Sequence, residues 1–139
     1  MSRSGKIVVI EDDKDDQELM VQAIKEINVP NELMFFDSCP EALDFLIKTN
    51  DSIFLILSDM NLPKMTGAEL KEIINCNEYL KRKAVPFVFL TTTADEAAVE
   101  KAYEDMSQGF FVKPADFGAL KEILQMIITY WKYCKHPNA

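Results

Sequence analysis

Residues 53–61 read Ile53-Phe54-Leu55-Ile56-Leu57-Ser58-Asp59-Met60-Asn61. The first five are apolar without alternation. A short run of this kind is expected of a central parallel strand covered on both faces. Its polar end then carries an aspartate, Asp59, out to the edge of a sheet.

On either side of this run, short apolar segments alternate with helical patterns. Lys6 to Ile10 reads as a first strand. A helix is expected from about Asp15 to Asn28, with Leu19, Met20, Ala23, Ile24 and Ile27 recurring at helical spacing. Leu33 to Phe36 reads as a second strand. Glu41 to Lys48 reads as a second helix, with Ala42, Phe45 and Leu46 on one side. After the central run a third helix starts near Thr66 or Gly67. A fourth strand is expected over Val85 to Leu90, with Pro86 at its beginning, where proline is tolerated. A fourth helix spans about Asp95 to Met106, and Gly109 to Val112 is the fifth strand. The last helix runs from about Asp116 towards Lys132. Its apolar stripe, Leu120, Ile123, Leu124, Ile127, Ile128 and Trp131, is read as core packing. Repeated strand-helix units predict an α/β fold, a parallel sheet with helices on both faces. Ligands bind such sheets beyond the carboxyl ends of the strands.

The 139 residues suit one domain over 1–139, with a core of about 6–131 and a short tail. With 48% hydrophobic and 27% charged residues, the chain is expected to fold. A formal net charge of -8 argues against nonspecific nucleic-acid binding, since phosphates are repelled. No stretch reads as a membrane span or a signal-peptide core, so a cytoplasmic protein without a membrane partner is expected. Cys39, Cys76 and Cys134 lack C-x-x-C spacing, and His136 is the single histidine. Reduced thiols are expected, and a zinc site is not.

The residues that follow the strands converge on one chemistry. Strand one ends in Glu11-Asp12-Asp13, strand three in Ser58-Asp59, strand four in Thr91-Thr92-Thr93, strand five in Lys113-Pro114. Carboxylates crowded into one cleft repel each other, and a hard divalent cation relieves this. Magnesium prefers oxygen ligands and often uses one or two carboxylates plus a substrate phosphate. Glu11, Asp12 and Asp59 therefore form a candidate magnesium cradle. A phosphoryl group there needs positive charge and hydrogen-bond donors, which Lys113 and Thr91 supply. Each piece alone also has a plainer reading. Acids at a helix start favour its dipole, Asp59 alone is a loop acid or cap, and the threonines and Lys113-Pro114 alone are turn residues. The conjunction is what favours the functional reading.

Five segments together resemble the receiver domain of two-component response regulators, in particular the stand-alone chemotaxis-type and phytochrome-associated members. They are Ile7 to Asp13, Ile56 to Pro63, Met65-Thr66-Gly67, Pro86 to Thr91, and Gly109 to Pro114. The resemblance spans about Lys6 to Trp131. It implies a flavodoxin-like (βα)5 sheet with strand order 2-1-3-4-5, an order carried over from the family. It also implies roles: Asp59 as phosphoacceptor, Asp12 as a direct Mg2+ ligand, Glu11 acting through water, and Asn61 giving its backbone carbonyl to the metal. Thr91 resembles the switch hydroxyl and Lys113 the lysine that pairs with the phosphoryl group. Phe110 stands at the aromatic switch position, where many members have tyrosine, so coupling is expected to rest on packing. Asn61 and Thr93 occupy positions that tune dephosphorylation in relatives. Without an acid at Thr93, a long-lived phosphoryl state is expected. The Lys113-Pro114 bond is commonly cis in the family.

The implied function is phosphorelay signalling. A sensor histidine kinase or a histidine phosphotransfer protein donates to Asp59, with no separate substrate turnover. Without an attached output domain, a protein target is expected to read the state at the surface of the fourth helix, fifth strand and last helix. The alternative is a degenerate receiver acting as a phosphorylation-independent interaction module. A flavin-binding relative of the same architecture is disfavoured, because Glu11-Asp12-Asp13 would repel the flavin phosphate. Toprim-like nucleases and dehalogenase-type phosphatases are disfavoured because Asn61 stands where they carry a second acid.

Overall fold

A computed structural model describes residues 2–92 and 95–135. Thr93 and His136 lie outside the described residues. Five strands, β1 (Lys6–Ile10), β2 (Leu33–Phe36), β3 (Ile53–Ser58), β4 (Phe87–Thr91) and β5 (Gly109–Val112), form one parallel sheet in the order β2-β1-β3-β4-β5. Six α-helices surround it: α1 (Lys14–Glu26), α2 (Cys39–Lys48), α3 (Gly67–Cys76), α4 (Glu78–Lys83), α5 (Glu96–Glu104) and α6 (Phe117–Tyr133). This is the flavodoxin-like order implied by the resemblance. No helix among the described residues is long and apolar enough to cross a membrane.

The continuous apolar run behaves as its pattern demands, with all six residues of β3 buried. Side chains of a strand alternate between faces, and two cores result. Ile7 and Val9 of β1 join Leu57 of β3 and Val88 and Leu90 of β4 beneath α1 and α6. Val8, Ile10, Ile56, Phe87 and Phe89 face the opposite way, beneath α2 to α5. Burying each such side chain contributes roughly 1.5–3 kcal/mol relative to exposure.

Helix starts follow from capping. The Asp13 carboxylate accepts from the amides of Asp15 (2.8 Å) and Asp16 (3.2 Å), satisfying donors that the first turn of α1 leaves unpaired. Thr66 and Glu69 form a reciprocal capping box at α3, with both bonds at 3.1 Å.

Several details differ from the periodicity reading. A sixth helix, α4, occupies residues between α3 and β4. The side chain of Asn77 caps it, accepting from the Leu80 amide at 3.0 Å, so one apolar pattern is broken into two short helices. The face expected on the fourth helix, fifth strand and last helix is therefore α5, β5 and α6. Strand β4 begins at Phe87, two residues later than expected. Pro86 has no N–H for a ladder, but its carbonyl accepts from the Ile56 amide at 2.9 Å. Helix α1 starts and ends earlier than expected, and Asn28 adopts a left-handed φ of 59° beyond it. Leu19 does not join the α1 stripe: it is 41% exposed, because its side chain lies beyond the edge of the buried arc. The Lys113-Pro114 bond is trans, the isomer that X–Pro bonds favour by about 0.5–1 kcal/mol.

Candidate functional site

Parallel strands all deliver their following residues to the same edge, so the site is assembled by topology. The register sets its depth. Ile10 pairs with Ser58, and Thr91 with Val112, so Glu11, Asp59, Thr91 and Lys113 arrive at one level. The Asp59 amide donates to Ile10 O at 3.0 Å and the Glu11 amide to Phe36 O at 3.0 Å. Both acids therefore leave the sheet from a hydrogen-bonded backbone.

Asp59 is held asymmetrically. Its Oδ1 accepts from the Met60 amide (2.7 Å), the Asn61 amide (3.4 Å) and the Thr91 hydroxyl (2.5 Å). Its Oδ2 lies 4.0 Å from Lys113 Nζ and accepts no hydrogen bond among the described residues. One oxygen is thus an anchor and the other is presented to the cleft. Thr91 is fully buried, so its hydroxyl is fixed.

Lys113 and Glu11 form a buried pair, with side chains 6% and 3% exposed. Lys113 Nζ also donates to Asp16 Oδ2 at 3.0 Å. The second Glu11 oxygen accepts from the Asp13 amide at 3.2 Å. Burial pushes the Glu11 carboxyl above its ordinary pKa, against the opposing pull of Lys113. Burial works to lower the Lys113 ammonium, but hydrogen bonds and attraction from Glu11, Asp16 and Asp59 outweigh it and leave the pKa raised. The lysine therefore stays charged at neutral pH.

The oxygens of Glu11, Asp12 and Asp59 come within 4.8 Å of one another, and Asp12 is exposed. Phe110 is half buried, with its ring 5.8 Å from that of Phe89 in the core beneath α2 to α5. All five positions singled out at the strand ends thus meet in one place. Asp16 was missed. Its acid run was read only as a favourable helix start, although it lies in the first turn of a helix that begins at the sheet edge. The role of Gly67 was also missed. A Cβ there would collide with the Asp59 carbonyl oxygen and lie 2.8 Å from the Phe89 ring. The three cysteines are free, and burial pushes the Cys39 thiol up to about 12, which keeps it inert.

Residues 7–125 match the family model for the response regulator receiver domain. The chain belongs to this family. Among curated receiver-containing relatives, it is 32% identical over 130 residues to response regulator Rcp1 of Synechocystis, covering 90% of this chain and 87% of that protein. It is 24% identical over 123 residues to a chemotaxis protein CheY homolog of Campylobacter jejuni, covering 88% and 92%. Among solved structures, the phosphorylated cyanobacterial phytochrome response regulator RcpA superposes with a TM-score of 0.86 at 29% identity, covering 96% of this chain and 98% of that one. The Mn(2+)-bound form of Rcp1 superposes with a TM-score of 0.84 at 30% identity, covering 96% and 99%. The receiver domain described here is thus a component of two-component signalling by family.

Proposed function

We propose that this receiver domain accepts a phosphoryl group on Asp59 Oδ2 and uses the modified aspartate to switch protein contacts. The observation that carries the proposal is the asymmetric binding of Asp59, with Oδ1 saturated by three donors and Oδ2 facing Lys113.

In the proposed step Asp59 Oδ2 attacks the phosphorus of a phosphohistidine on a sensor histidine kinase or a phosphotransfer protein. The new O–P bond forms as the P–N bond breaks, and the electron pair leaves with the imidazole nitrogen. Backbone amides and Thr91 orient the nucleophile, while Lys113 offsets negative charge on the transferring group. Water later cleaves the acyl phosphate.

The donor set fits magnesium, since it consists of oxygens converging at one cleft. Asp12, Asp59 and the Asn61 carbonyl would hold the ion directly. Glu11, whose oxygens already engage Lys113 and the Asp13 amide, would act through water. When bound, magnesium supplies charge neutralisation to the phosphoryl oxygens. The manganese-bound Rcp1 supports this reading. Magnesium is expected to raise the melting temperature, because it binds the folded cradle only. At a hundredfold excess over Kd the gain is about 2.7 kcal/mol. Asp12→Asn should remove most of that gain in a thermal scan, and an unchanged response would count against the cradle.

Thr91 and Phe110 are proposed as the switch pair, with packing against Phe89 as the link between them and the surface. The face of α5, β5 and α6 is proposed for output. These elements expose Tyr103, Val112, Met126 and Tyr130, each at least 50% accessible, and exposed apolar side chains suit a protein partner. Residues 1–139 are proposed to act as one receiver domain. Asn61 and Thr93 are proposed to tune the lifetime.

Incubation with acetyl phosphate and magnesium, followed by intact mass measurement, tests the proposal. The expected result is the gain of one phosphoryl group in the native chain and none in Asp59→Asn. After removal of the donor, the mass should decay over minutes or longer; loss within seconds would overturn the long lifetime. An equal gain in Asp59→Asn would overturn Asp59 as the acceptor, and no gain at all would favour a phosphorylation-independent interaction module.

A further inference from the structure

A second cleft, of about 230 Å³, opens at the amino-terminal edge of the sheet, opposite Asp59. Val85 and Gln108, which precede β4 and β5, lie at its floor, and α3 and α4 form its walls. It exists because Asn77 breaks the chain into two helices and Ala84 ends α4 in a left-handed conformation (φ 51°). Its lining is largely apolar, including Ile74, Leu80 and Val85, and carries three lysines, Lys71, Lys81 and Lys83, with no acidic residue. That concentration of positive charge stands out in a chain of formal net charge -8.

Lys71 is the informative residue. It is only 6% exposed, yet among the described residues no carboxylate lies within ion-pairing distance of its Nζ. The ammonium sits 5.8 Å from the centre of the Phe87 ring, which offers a weak partner. Asp105 attracts it from a distance: Asp105 Oδ1 is engaged by Lys101 at 3.2 Å, while the buried Oδ2 has no hydrogen-bond partner and stays beyond ion-pairing distance of Lys71. Burial lowers the Lys71 pKa below its ordinary value. A lysine this deeply buried normally has a counter-charge. Beside it lies the cleft with its apolar walls. An apolar cavity of roughly 150 Å³ accepts benzene, so this one suits a somewhat larger body.

We propose that this cleft binds a small amphipathic anion, an apolar body of about six to ten carbon atoms bearing one carboxylate or phosphate monoester headgroup, with Lys71 as its counter-charge. The exposed Lys81 at the rim adds attraction during entry, while Lys83 is partly engaged with Thr49 O (3.4 Å) and the Tyr79 ring.

Octanoate, hexyl phosphate and the neutral octanol are the probes, titrated separately into the full chain while amide shifts are followed by NMR. The expected result is saturable shifts over residues 71–85 and 106–108 with an anionic probe, and at least tenfold weaker binding of octanol. The tighter anion identifies the headgroup. Lys71→Met should bring anion affinity down to that of octanol, and Lys71→Arg should recover part of it. Where Lys71→Met fails to fold, the native anion-to-octanol ratio and a several-fold loss in Lys81→Gln decide. Absence of saturable shifts in this region, equal binding of octanol, or unchanged affinity in a folded Lys71→Met would overturn the proposal.

Discussion

Lys113→Met is expected to be the most destabilising single substitution at the site. It removes one partner of a buried ion pair and leaves the Glu11 carboxylate, 3% exposed, without its cation. Breaking such a pair costs about 3–5 kcal/mol, which corresponds to a fall in melting temperature on the order of 10–15 °C. The loss should depend on pH. Burial already raises the Glu11 pKa, and Lys113 opposes that rise. In the variant the folded-state value climbs further. A carboxyl whose folded pKa exceeds its unfolded value favours folding when protonated, so its contribution is present below the unfolded pKa and lost as pH rises through the folded one. Lys113→Met should therefore be relatively more stable near pH 5 than near pH 8. Thermal scans with a chelator present, to exclude bound cations, check this. A variant equally stable at both pH values, or one within about 1 kcal/mol of the native chain, is outside the range expected for a broken buried pair. Phosphoryl uptake should fall as well, by about 10²–10³-fold, the usual effect of removing one group that stabilises developing charge.

Gly67→Ala should disable Asp59 without touching a charged group. The added Cβ would run into the Asp59 carbonyl oxygen and approach Phe89 to 2.8 Å and Ser58 Oγ to 3.2 Å. Neither a backbone oxygen nor a core ring moves easily. Gly67 is further tied by its amide, which donates to Met60 O at 2.9 Å. The loop carrying Asp59 must therefore shift. Overpacking of this kind costs about 1–3 kcal/mol. Misplacing a nucleophile by about 1 Å lowers uptake by about 10²-fold, and a smaller shift by less. The two effects separate experimentally: a denaturant titration reports the first, and the acetyl phosphate mass assay reports the second in folded protein. Native-like uptake in a folded Gly67→Ala would show that the close approach does not position Asp59.

Both predictions rest on features with different visibility in the sequence. The strand ends were legible because each is a polar residue set directly after an apolar run: Glu11 after Ile10, Asp59 after Leu57 and Ser58, Thr91 after Leu90, Lys113 after Val112. Parallel topology then forces them to one edge. The burial of β3 was legible for the same reason, since a run without alternation has no face to give to water. Gly67 was visible only as part of a family motif, because nothing local distinguishes a glycine at a helix start from one that a neighbouring strand requires.

The sequence by itself determined the α/β class, all five strands to within two residues, and which side chains meet beyond the sheet. Periodicity and turn chemistry are local properties, and the parallel sheet converts them into a site. Tertiary structure alone decided that Asp16 joins Lys113, that Asp59 Oδ1 is anchored while Oδ2 is presented, and that α4 stands between α3 and β4. It alone placed Lys71 in the lining of a largely apolar cleft, with Asp105 as a distant charge. These depend on contacts between residues far apart in the chain, on the rotation of a helix about its axis, and on which of two oxygens a hydroxyl reaches. No spacing within one segment encodes them.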